Sequence, residues 1–223
     1  MTDLRQGEFG KGRRIACILT SVLAAAAMTA GAETFAILQD GDISAWQEKR
    51  FHGRTVYTTA GVDGRTGLRA DSEASASGLF LRVRVDLERT PILRWSWRVE
   101  APLNPIDERT RGGDDYSARL YLVSRHPLAF WRTKAVNYVW SSSLPKGETW
   151  PNAYAGSVRM VALRSGREDV GTWVEERRDV RTDFLRLFGK RTRYVDAVAV
   201  MTDTDDSGGS AVAHYGDIQF TSE

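Results

Sequence analysis

From about residue 79 onward the apolar positions of this chain recur at every second residue, the period of a half-buried strand. Leu79, Leu81, Val83 and Val85 alternate with Phe80, Arg82 and Arg84, and Leu93, Trp95, Trp97 and Val99 alternate with Arg94, Ser96 and Arg98. The same pattern predicts strands over 118–123, 136–141, 158–163, 172–177, 194–201 and 211–220, and turn-forming residues separate most of them, at 61–64, 111–114, 145–147 and 206–209. A single helical signal covers 182–188, where Phe184, Leu185, Leu187 and Phe188 make a short apolar face between an N-capping Thr or Asp and Gly189. Eight to ten strands without a repeating strand-helix-strand unit predict an all-β fold of two antiparallel sheets packed face to face, with the helix as a connector. No internal repeat and no linker rich in Pro, Gly or Ser divides the chain, so residues 33–223 are expected to form one domain. The longest irregular stretch, 101–113, is where a loop would be expected to serve function.

The start of the chain has a different pattern. Arg5, Lys11, Arg13 and Arg14 precede an apolar stretch over 15–28, and Ala30-Gly31-Ala32 has the small-x-small form of a leader-peptidase site. Residues 1–32 therefore read as a signal peptide cleaved near Ala32, and the mature protein is expected in the periplasm or secreted. Its apolar stretch would rise only about 21 Å as a helix, short of a hydrocarbon core of roughly 30 Å. Cys17, the only cysteine, is followed by the apolar stretch, the reverse of a lipoprotein signal, so neither a lipid anchor nor stable membrane insertion is expected.

Removing the leader changes the charge balance. The 223 residues carry 31 basic and 29 acidic groups, and residues 1–32 hold four of the former and two of the latter, leaving 27 of each sign. A neutral mature chain argues against nucleic acid or an anionic membrane as partner. With no cysteine left, the domain must be held by its core, a usage that fits a bacterial periplasm. The 42% apolar content, with 7 Trp, 7 Tyr and 8 Phe against 6 Pro, is that of a globular chain and excludes long disorder or collagen.

Five segments carry a resemblance: Trp95-Ser96-Trp97-Arg98-Val99, Gly113-Asp114-Asp115-Tyr116-Ser117-Ala118-Arg119-Leu120-Tyr121, Asn137-Tyr138-Val139-Trp140-Ser141, Met201-Thr202-Asp203-Thr204-Asp205-Asp206 and Tyr215-Gly216-Asp217-Ile218-Gln219-Phe220. Together they resemble the bacterial family of exported proteins known as domain of unknown function 3047. The resemblance implies an exported bacterial protein and no mechanism. The opening Asp40-Gly41 to Trp46 and the closing Gly216-Asp217-Ile218 are similar to the first and last strands of galactose-binding-like jelly rolls, the architecture of many carbohydrate-binding modules.

Enzyme signatures are mostly missing. The sequence has no G-x-S-x-G elbow, phosphate loop, dinucleotide fingerprint or H-E-x-x-H pair, and His52, His126 and His214 are scattered. Carboxylates remain, and Asp114, Asp115, Glu175 or Glu176 would suit a glycosidase if two of them met. The run 203–208 places Asp203, Asp205, Ser207 and Gly208 as at the start of a calcium loop, but its twelfth position is His214, which rules out an EF-hand. A structural calcium on Asp203, Asp205 and Asp217, with Asp40 and Asp42 near the junction of first and last strands, competes with a plain strand-to-strand turn.

Aromatic and amide residues make the stronger case. Sugars offer apolar C–H faces and hydroxyl rims, which Trp and Tyr platforms and planar hydrogen-bonding groups match. Trp131, Asn137, Tyr138, Trp140, Trp150, Asn152 and Tyr154 fall within 24 residues, after Asp115 and Arg119. The expected ligand-binding set is Asp115, Arg119, Asn137, Trp140, Trp150 and Asn152, centred on Trp150 as a loop platform, with Trp95 and Trp97 in the core. If Tyr138 and Trp140 share one sheet face, Asn137 and Val139 take the other, so only one set can reach a ligand. The leading expectation is a monomeric, non-catalytic periplasmic domain that binds carbohydrate or a similar polar small molecule. A polysaccharide-active hydrolase or lyase on the same fold, and an envelope assembly factor, stay open.

Overall fold

Thirteen strands and one α-helix form among residues 32–126 and 133–223, the residues that the computed structural model describes. The strands are β1 (Thr34–Leu38), β2 (Gln47–His52), β3 (Val56–Val62), β4 (Arg65–Glu73), β5 (Ala76–Asp86), β6 (Ile92–Ala101), β7 (Tyr116–Ser124), β8 (Lys134–Ser141), β9 (Thr149–Pro151), β10 (Val158–Ser165), β11 (Val174–Asp179), β12 (Tyr194–Asp203) and β13 (Ser210–Thr221). The expected leader as far as Gly31, and Trp131, lie outside the described residues.

Two sheets pack face to face. The first has the order β11-β6-β13-β4-β3, with β1 pairing the end of β13 beyond β4, and the second has the order β2-β5-β12-β7-β8-β10-β9. All pairs are antiparallel except β8 with β10. That exception has a simple geometry: the chain leaving β8 runs back as β9 at the edge, and β10 then enters between the two. The expected all-β sandwich is the fold found.

Alternation decides what fills the core. Leu93, Trp95, Trp97 and Val99 of β6 face Ala118, Leu120 and Leu122 of β7, Tyr138 and Trp140 of β8, and Val198 and Val200 of β12, all buried in one cluster. Four aromatic rings join the layers: Trp95 stacks on Tyr138 at 5.4 Å, and Trp97 meets Trp95 at 5.5 Å and Trp140 at 6.0 Å edge-on. Trp97 donates its indole N–H to Glu176 (3.2 Å) and Trp140 to the Gly166 carbonyl (3.1 Å), so these rings sit at fixed angles.

The helix, α1 (Val180–Phe188), begins two residues earlier than its apolar face predicts. Asp179 is the N-cap, accepting from the Thr182 N–H at 3.0 Å, and Gly189 ends the helix in the left-handed region at φ 66°, returning its N–H to Leu185. Asp183 ties the helix to the core by accepting from the Tyr138 hydroxyl at 2.8 Å and from Arg178. The helix thus links β11 of one sheet to β12 of the other, as a connector does.

The face of the second sheet turned away from this core carries the candidate chemistry. Directly paired residues form a row across all seven strands: Gln47, Phe80, Ala199, Tyr121, Asn137, Met160 and Trp150. Tyr116, Val139, Trp150, Met160 and Ala162 make a small second core there. Phe80, Ala199 and Tyr121 in the middle of the row stay half-buried.

Candidate functional site

Arg119 stands on β7 two residues along from that row and on the same face, opposite Met201 and Val139. Its guanidinium lies over the rings of Tyr116 (5.0 Å) and Tyr121 (5.4 Å), forms an ion pair with Asp203 and comes within 3.7 Å of Asp114. Burial opposes the charge, but Tyr121, Asp114 and Tyr116 outweigh it, and the Arg119 pKa is raised. Asp114 in turn accepts both N–H contacts of the Asn152 amide at 2.8 and 2.9 Å. Burial nonetheless raises the Asp114 carboxyl above its ordinary range, against the pull of Arg119 and Asn152.

The 101–113 stretch folds over this end of the sheet and contributes Glu108. Its carboxylate accepts from the Ser141 hydroxyl at 2.7 Å and from the Ser142 N–H, while its carbonyl accepts from the Trp150 indole at 3.2 Å. Burial pushes the Glu108 carboxyl up as well. The stretch closes only because Gly113 has no side chain, since a Cβ there would collide with the Asp107 carbonyl.

The structure thus brings Arg119, Asn137, Trp150 and Asn152 to one corner and distributes the rest of the expected set. Trp140 faces the opposite way, into the core between the sheets, as β8 alternation requires. Trp150 is not a loop platform: it lies in β9, 4% exposed, under the 101–113 stretch that takes its N–H. Asn137 is fully buried, donating to the Met160 sulfur at 3.6 Å with its carbonyl oxygen unpartnered. Asp115 is also buried, and its two oxygens accept from the backbone of Asp206 (3.2 Å) and Ser207 (2.6 Å). Beside this corner Tyr154, 53% exposed, presents its aromatic ring outside, with Arg111 over it at 5.3 Å.

The expected calcium set is likewise divided. Asp203 is committed to Arg119, and Asp217 accepts from the Asp40 N–H at 3.0 Å beside β1. Among the described residues, the carboxylates that gather are Asp115, Asp205 and Asp206, with oxygens within 4.8 Å of one another. Burial and then the like charges of Asp115 and Asp206 raise the Asp205 pKa. The N–H groups held by Asp115 account for the turn structurally.

Two open sites flank this closed network. A cleft of about 720 Å³ on the first sheet includes Glu175, Glu176 and Asp217, but Glu175 pairs with Arg65 and Glu176 with Arg164 and the Trp97 indole. A larger groove, about 1230 Å³, opens at the end of the second sheet where β5, the end of β7, the start of β8 and the start of β12 meet. Arg82, Arg84, Arg125, Lys134, Lys190 and Arg191 line it, and its one carboxylate, Asp196, receives Arg84 (3.5 Å) and the Arg125 N–H (2.8 Å). The sequence signals for it are the alternate Arg82 and Arg84 and the run 190–193, which only the fold joins.

The family model described as "Protein of unknown function (DUF3047)" matches residues 44–219. No curated protein matches the sequence. Among solved structures, the family 30 carbohydrate-binding module of a cellulosomal cellulase of Clostridium thermocellum aligns over 86% of this chain and 98% of its own, with 10% identity and a TM-score of 0.50. The family 11 carbohydrate-binding module of another cellulosomal cellulase of Clostridium thermocellum aligns over 85% and 94%, with 9% identity and a TM-score of 0.46. At such identities the likeness is one of fold.

Proposed function

The chain belongs to the DUF3047 family, whose description gives no activity, and we propose that it is an exported, non-catalytic domain that binds carbohydrate or a similar polar ligand. The observation that carries this reading is the 1230 Å³ groove on a β-sandwich of the type used by a carbohydrate-binding module. The half-buried Phe80, Ala199 and Tyr121 lie on the same outward sheet face as Arg82 of the groove, which stands two residues along β5 from Phe80. Such a surface combines apolar contact for sugar C–H groups with planar donors for hydroxyl or acidic oxygens.

Non-catalytic action is supported by where the carboxylates stand. The buried carboxylates, Glu108, Asp114, Asp115, Asp183 and Asp203, are held by Ser141, Asn152, the Asp206 and Ser207 N–H groups, Tyr138 and Arg119, and none of them lines the two open sites, while Asp196 in the groove is already engaged. An array of neutral and acidic glycans with product analysis tests the reading. Saturable binding without product is expected. Release of product that is lost when one carboxylate is neutralised would make the protein an enzyme, and an array without binders would overturn the reading. Export is tested by the mature N-terminus: mass spectrometry is expected to find Glu33 first in soluble periplasmic material, and recovery only with membranes would overturn it.

A further inference from the structure

We propose that the groove at the end of the second sheet takes the acidic groups of a polyanionic glycan, a polysaccharide bearing carboxylates or sulfates, an inference that rests on the carbohydrate-binding reading above. The mature chain balances its charges, yet this groove gathers Arg82, Arg84, Arg125, Lys134, Lys190 and Arg191 around the single carboxylate of Asp196. Positive charge is therefore segregated here. A concave wall of one sign focuses its field on an incoming counter-charge.

Several of these cations are available. Among the described residues, Arg82, Lys190 and Arg191 enter no ion pair, whereas Arg193 at the same groove is taken by Asp86 (2.9 Å) and Glu88 (3.3 Å). Burial, and then the neighbouring charges of Lys190 and Arg159, lower the Lys134 ammonium pKa. Guanidinium forks outnumber ammonium groups in the groove, and forks suit the planar, two-oxygen edge of a carboxylate or sulfate.

The surroundings favour a glycan over other polyanions. Nucleic acid sites add open aromatic faces for stacking bases. Tyr194 in this groove already has Arg84 over its ring at 3.9 Å and Arg193 at 5.1 Å. A membrane surface would call for exposed apolar residues at the rim, but among the described residues the exposed large apolar side chains, Phe35, Phe51, Val56, Tyr154 and Leu185, line none of this groove.

The test is titration calorimetry of the full chain with polygalacturonate, dextran sulfate, neutral dextran, single-stranded DNA and phosphatidylglycerol vesicles, at low and physiological salt. Polygalacturonate or dextran sulfate is expected to bind, more weakly in salt, and at least about tenfold more weakly to the triple variant Arg82→Ala, Lys190→Ala, Arg191→Ala. The single variant Arg191→Glu, at an exposed and unpaired position, should lose affinity in the same direction if the triple variant is poorly folded. Neutral dextran bound alone, or acidic glycan bound equally by every variant, would overturn the inference and leave the carbohydrate reading in place. Binding of DNA or vesicles without any glycan, or of nothing, would overturn both.

Discussion

Arg119 and Asp203 form an ion pair with side chains only 5% and 2% exposed, joining β7 to β12 on the outward face of the second sheet. Such a pair gains little over an apolar pair of the same shape, but losing one partner leaves a buried charge uncompensated. Arg119→Met should therefore cost about 3–5 kcal/mol, because it exposes both Asp203 and Asp114 to each other without a cation. Arg119→Met with Asp203→Leu should recover part of that loss. Urea unfolding in a double-mutant cycle measures the coupling; additive losses would mean that the pair does not act as a unit.

Glu108 makes a pH prediction. Its carboxyl is raised above the ordinary 4.5 by burial, so the native state holds the proton more tightly than the unfolded chain. Its contribution to stability is full below about pH 4.5 and is lost as pH rises through the raised native value. Glu108→Gln keeps an acceptor for Ser141 and removes the titration. The variant should lose less stability than the parent as pH rises across that window, and parallel stability curves would contradict the assignment.

Trp150 and Trp97 should respond alike. Both are buried, at 4% and 0% exposure, and each donates an indole hydrogen bond. Replacing either with Ala should cost about 3–5 kcal/mol of folding free energy. A Trp150→Ala variant with parental stability and lost glycan affinity would restore the platform role that its flanking Thr149 and Pro151 suggest.

The Asp115, Asp205 and Asp206 turn separates two roles by the sign of a stability change. Asp115→Ala removes both acceptors of the Asp206 and Ser207 N–H groups and should cost about 1–3 kcal/mol. Asp205→Asn relieves like charge and should stabilise slightly at neutral pH, as its raised pKa requires. Thermal melts in chelator and in calcium decide the matter. A melting temperature that rises with calcium in the parent and not in Asp205→Asn would identify the turn as a metal site.

Strands with one face on the other sheet were legible. β5, β6, β7, β8 and β12 each repeat an apolar residue at every second position on the face that meets the other sheet, and β13 does so on either side of its irregularity between Tyr215 and Ile218. β2, with the sequence QEKRFH, is an edge strand whose residues are mostly exposed, and exposure removes the pattern that would reveal it. β9 is three residues long, too short to show a period, which is why Trp150 read as part of a loop. The separation of Trp140 from Asn137 followed from alternation alone. The burial of Asn137 and Asp115 did not, since it depends on Met160 of β10 and on the 203–208 turn meeting them. The basic groove was hidden for another reason: segments 82–84, 124–126 and 190–193 are far apart in sequence, and a balanced total charge conceals a local excess.

β1 pairs with β13, and the Glu33 N–H reaches Ser222 across a separation of 189 residues. During synthesis β1 thus waits for β13 before its ladder hydrogen bonds can form. Until then β1 stands without its partner strand, since β13 is its one neighbour among the described residues. Folding of this sheet is consequently tied to the emergence of β13, and a mainly non-local topology of this kind belongs with the slow folders of its size. A nascent or stalled chain would display an open strand edge, the surface that chaperones and aggregation compete for.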